Sequence, residues 1–210
     1  MKAAHLAVVA AAFLFAPASG AIAQDAANMT FFVSSVGSGD GANLGGLEGA
    51  DAHCQDLAEA VGAGDKTWRA YLSAEGINAR DRIGTGPWQN IMGTPIATDV
   101  DNLHSDSDNF TVKSALTELG NEVPGFGANP NTHDILTGSD DDGMLMAGMT
   151  CGDWTSNDEG MAMVGHSDEG GPPQFSGVES WNSAHPSQGC SQEALVRTGG
   201  AGQIYCFAAN

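Results

Sequence analysis

The sequence predicts an α+β fold: one domain built on a loop-rich mixed sheet with one or two helices and two disulfides. Three observations predict it. One clearly 3.6-periodic stretch lies early, and short β-type runs follow it instead of alternating with further helices. Twenty-nine glycines supply turns, while 41% hydrophobic residues suffice for a core. Four cysteines without a Cys-x-x-Cys pair read as two disulfides in any of three pairings, not as a zinc ribbon or a thioredoxin-like redox site.

The elements follow in chain order. Lys2, the apolar run Leu6 to Phe15 and Ala21-Ile22-Ala23 form a signal-peptide pattern over residues 1–23. The run is too short to span a bilayer, so the expectation is a secreted or periplasmic protein without a membrane anchor, its domain covering 24–210. "MTFFVSSV" (29–36) predicts a first strand, and a glycine-rich turn follows. Ala50, Cys54, Leu57, Ala58 and Val61 mark one face of a helix stopped by Gly62 and Gly64. In "TWRAYLS" Trp68, Ala70 and Leu72 alternate with Arg69 and Tyr71, as in a half-buried strand. "NARDRIGTGPW" predicts a short helical turn, with Trp88 packing on the core. Residues 91–133 carry little pattern; a short helix or strand is expected near Thr111 to Leu119. Ile135 and Leu136 lead into a turn, "TCGDWTS" and "GMAMVGHSD" read as short strands, and "GQIYCFA" is a closing strand. Met161 and Met163 are expected on one buried strand face.

A formal charge of −19 argues against nucleic acid or anionic membrane as a partner. It suits solubility, Ca²⁺ or cationic partners. Asp140-Asp141-Asp142, and Asp106 with Asp108, read as solvated turns; with Gly143 at loop position six, Gly138 and Met149 occupy positions where an EF-hand needs acids.

The order of these pieces carries a resemblance. A helix bearing the first Cys, then "TWRAYLS", "LTGS", Cys151-Gly-Asp-Trp154, a further Cys and a last strand with the final Cys is similar to the collagen endostatin-type domain. That domain has the C-type lectin-like fold. "KTWRAYLS", "NARDRIG", "GPW", "HDILTGS", "WNSAHPS", "GCSQE" and "YCFA" resemble a family of secreted bacterial proteins labelled lectins, over Phe31 to Phe207. The resemblance implies an endostatin-like fold, nested disulfides Cys54–Cys206 and Cys151–Cys190, and a non-catalytic binding role with carbohydrate or another cell-surface polymer as ligand. It does not bring a calcium site: Trp181-Asn182 is followed by Ser183, not an acid, and Asn129-Pro130-Asn131 lacks the acid of the sugar-binding tripeptide. The N-terminal histidines that bind zinc in endostatin have no counterpart near Asp25.

The residues name their own candidates. Trp154, Trp181, Asn182 and His185 offer aromatic, amide and imidazole groups of the kind that stack on and hydrogen-bond a sugar. His166 with Asp153 or Asp168, and His185 nearby, are the metal candidates if the loops converge; Zn²⁺ suits imidazole with carboxylate and Ca²⁺ suits the acids. His166-Ser167-Asp168 is no catalytic relay, because neighbours on a strand point to opposite faces, and no G-x-S-x-G elbow is present. Two other classes stay open: an adhesion module that binds protein, and a metal-dependent hydrolase.

Overall fold

A computed structural model describes residues 25–105, 110–171 and 179–209. The expected signal segment and the acids Asp106 and Asp108 lie outside them. The fold is α+β and loop-rich. Its strands are β1 (Phe31–Val33), β2 (Trp68–Ala70), β3 (Trp88–Gln89), β4 (Pro95–Ala97), β5 (Asp134–Leu136), β6 (Met163–His166), β7 (His185–Pro186) and β8 (Gly200–Ala208). The helices are α1 (Gly46–Ala60), the single turns α2 (Val100–Leu103) and α3 (Cys151–Trp154), and α4 (Gln192–Thr198). No helix among the described residues is long and apolar enough to cross a membrane.

β8 organises the main sheet. Cys206 pairs with Phe32 of β1 on one flank and with Ala70 of β2 on the other, both antiparallel. The start of β8 runs parallel to β5, and β5, β6 and β7 continue outward as antiparallel neighbours. β3 and β4 form a separate hairpin-like pair.

Both faces of this sheet are covered, which explains the unbroken apolar runs "FFV" and "IYCF". Phe32, Ala70, Leu136, Val164, Ile204 and Cys206 share one core with α1 and Trp154. Phe31, Val33, Ile135, Tyr205 and Phe207 turn to a second core with Tyr71, Trp88, Phe110 and Trp181. Tyr71, expected on an exposed face, is fully buried because the chain just past β2 passes between the cores.

The disulfides join Cys54 of α1 to Cys206 of β8 and Cys151 of α3 to Cys190. Polar groups add to the first link. The Asp51 carboxylate on α1 accepts from Arg69 Nη1 (2.7 Å), from Arg82 Nη2 (2.8 Å) and from the Ala70 amide (2.9 Å).

Three local expectations are corrected. "TCGDWTS" is no strand: Cys151, Gly152, Asp153 and Trp154 all have positive φ, and this left-handed turn is held by the disulfide, by Trp154 and by a Thr150 cap. Thr111 to Leu119 forms no full strand or helix: turns surround isolated β-bridges at Leu116 and Thr117, and the short helix of this region is α2, capped by Asp99. Met163 is buried in β6, whereas Met161 precedes the strand and is exposed.

Candidate functional site

Strand alternation brings a polar cluster together at the β5–β6–β7 edge. Asp134 is the register partner of His166, and His185 is the partner of Val164, two residues before His166. Residues two apart on a strand share a face, so Asp134, His166 and His185 project to one side. His133 enters from the residue before β5. Gly200, opposite Asp134 on β8, leaves the room: a Cβ there would lie 2.6 Å from the Asp134 carbonyl oxygen and 3.1 Å from its Cβ.

One carboxylate oxygen is the focus. Asp134 Oδ1 lies 3.2 Å from His133 Nε2, 3.4 Å from His166 Nε2 and 3.9 Å from His185 Nε2. His166 Nε2 and His185 Nε2 are 3.0 Å apart. The Asp134, His133 and His166 side chains are at most 4% exposed; that of His185 is 31% exposed. Yet neither oxygen of Asp134 has a hydrogen-bond partner, because the imidazoles approach without donor alignment.

Behind this group stands Asp168. Its carboxylate accepts from His133 Nδ1 (2.7 Å), the Phe126 amide (2.7 Å) and the Gly170 amide (3.0 Å). A Cβ on Gly125 would fall 2.2 Å from Asp168 Oδ2, so only glycine admits the carboxylate there. Burial alone would raise the Asp168 pKa, but these hydrogen bonds outweigh it and hold the group ionised well below the usual carboxylate range. Burial pushes Asp134 up, against the pull of His185 and His133. Burial, with repulsion from His133 and His185, pushes His166 down to about 4.

The sequence-derived candidates divide accordingly. His166 and His185 converge; Asp168 reaches the group only through His133. Asp153 does not join them: its Oδ1 accepts from Thr150 Oγ1 and the Glu75 amide, fixing the left-handed turn. Trp154 is wholly buried and its Nε1 donates to the Ser73 carbonyl, so no ring face is left for a sugar. Trp181 is stacked on Phe110 (centroids 4.4 Å apart) and donates Nε1 to Leu103, which removes it as a stacking platform. Asn182 Nδ2 is spent on Tyr71 Oη and on the Asp140 and Asp141 carbonyls. His133 and Asp134 were not singled out from sequence. The available signal was Asp134 two residues before Leu136, an acid on the face of a strand that enters the core.

A second polar feature is a cleft of about 450 Å³ lined by His104, Asp141, Glu169, Glu179, Ser180 and Asn182, with the edge of Trp181 at its wall. Its floor is fixed: His104 Nδ1 donates to the Val100 carbonyl, so Tyr71 Oη donates to His104 Nε2 (2.7 Å) while accepting from Asn182 Nδ2. Glu169, on the rim, holds φ +50, a backbone conformation costly for a side-chain-bearing residue.

No protein-family model matches this chain, and no curated protein matches it.

Proposed function

We propose that the protein is an exported, non-catalytic recognition module of the C-type lectin-like fold, related to the endostatin-type domain and to the secreted bacterial lectin-like proteins it resembles, and that it binds carbohydrate or another cell-surface polymer. The observation that carries this reading is the polar cleft. Its volume lies within the roughly 300–1,000 Å³ usual for ligand sites, and its carboxylates and carbonyls are acceptors for the hydroxyl or amino hydrogens of a saccharide. The hydrogen-bonded Tyr71–His104–Asn182 floor holds the Asp140 and Asp141 carbonyls in place before a ligand arrives, which lowers the ordering cost of binding. The nested disulfides and the pairing of β1 with β8 support the fold assignment. Export accords with two disulfides, which persist in oxidising compartments.

A glycan array probed with the purified protein tests this. Retention of a defined saccharide class, lost in Glu179→Gln or Asp141→Asn with the fold intact by circular dichroism, is the expected result. Failure to retain any glycan overturns the proposal and favours the protein-binding class.

A further inference from the structure

We infer that His133, Asp134 and His166 form the buried base of a tetrahedral site for a divalent cation of the zinc type, that His185 closes over the ion as fourth ligand, and that Asp168 is the positioning residue behind His133. The inference stands apart from the saccharide reading and uses different residues.

The spacing of the donors is the first argument. Zinc bonds to imidazole nitrogen and carboxylate oxygen of about 2.0–2.1 Å, set at tetrahedral angles, put donor atoms roughly 3.3 Å apart. The ligand atoms of His133, Asp134 and His166 all lie within 4.8 Å of one another, with Asp134 Oδ1 3.2 and 3.4 Å from the two imidazoles. His185 Nε2, 3.0 Å from His166 Nε2 and 3.9 Å from Asp134 Oδ1, stands just outside that group and has to move inward to complete the shell. The second argument is the proton inventory. His133 Nδ1 lies 2.7 Å from the Asp168 carboxylate, and His185 Nδ1 lies 3.2 Å from the Pro186 carbonyl. Both partners only accept, so in the neutral rings each proton sits on Nδ1 and each Nε2 presents a lone pair to the cluster. Lone pairs then face a buried carboxylate that has no hydrogen bond of its own. A cation among them turns that mutual repulsion into bonding. The third argument is the outer layer. A carboxylate or backbone carbonyl on the far nitrogen of a histidine is the usual support of a metal ligand, and here His133 and His185 have one of each kind.

The donor chemistry narrows the ion. Three imidazoles and one carboxylate suit Zn²⁺ and disfavour Ca²⁺ and Mg²⁺, which take oxygen ligands. Four protein donors fill a tetrahedral shell, the pattern of a structural site rather than one that keeps a position for substrate. The ion would join β5, β6 and β7, strands that neither disulfide touches.

The test is Zn²⁺ titration of the EDTA-treated, exported full chain against a chromophoric chelator, with Co²⁺ as spectroscopic probe. Expected are one equivalent of Zn²⁺, the intense visible bands of tetrahedral Co²⁺, and a raised thermal midpoint on Zn²⁺ addition. His185→Ala, at the half-exposed ligand, abolishes the tetrahedral spectrum while leaving the metal-free circular dichroism unchanged. Asp168→Asn retains the spectrum but weakens Zn²⁺ binding by about 10- to 100-fold. The site is overturned if the wild type takes up no Zn²⁺, if its Co²⁺ spectrum is octahedral, or if His185→Ala binds as the wild type does.

Discussion

Two buried aspartates, one on α1 and one on β5, are treated differently by the fold. Asp51, under α1, accepts from two arginines and a backbone amide. Asp134, at the β5–β6–β7 edge, is more deeply buried and accepts from nothing. A buried polar group costs free energy unless it is partnered. The first carboxylate is therefore part of what holds the chain together, and the second carries a folding cost that the proposed cation would offset. The contrast extends to the surroundings: a disulfide and α1 close the Asp51 side, while β7 is a two-residue strand.

Breaking the Asp51 side gives the largest effects. Replacing Cys54 and Cys206 together by alanine opens a link spanning 152 residues and is expected to cost about 5 kcal/mol on the chain-entropy scale, read from urea midpoints. Asp51→Ala leaves two guanidinium groups beside a vacated pocket; a loss of about 3 kcal/mol is expected, the same with or without added Zn²⁺. Ser191→Ala removes the side chain that accepts from the Ala194 amide at the start of α4, for a loss of about 1 kcal/mol. Asp134→Asn sharpens the comparison most and shifts metal-free stability least: a change of about 0.5 kcal/mol or less in EDTA, with the stabilisation by Zn²⁺ gone. Should Asp134→Asn cost as much as Asp51→Ala in EDTA, the two carboxylates would be structural equals and the contrast would fail.

The sequence made the Asp51 side readable and the other side hardly so. α1 was legible because Ala50, Cys54 and Ala58 fall on one helical face, and β1 and β8 because their apolar runs are continuous. The left-handed turn at Cys151 was not, since its geometry comes from tertiary ties among a disulfide, Asp153 and a buried Trp154 rather than from local preference. α4 escaped notice because seven residues are too few for a periodic signal. His166 and His185 stood out as residue types, but His133, Asp134, His166 and His185 lie in three separate stretches, and only strand register makes them neighbours. The rings of Trp154 and Trp181, sequence candidates for a sugar platform, belong to the two cores, and only tertiary packing decides which side of such an aromatic faces water.

β8 carries a consequence for how the molecule is made. Among the described residues, its residues 200–208 are the one stretch that pairs with β1, β2 and β5 alike, whose own residues are synthesised earlier. Until that stretch leaves the ribosome, β1 and β2 lack their shared neighbour, although β5 can already pair with β6, and contacts so distant along the chain form slowly. Such a polypeptide draws its first strands into the finished sheet only in a late step.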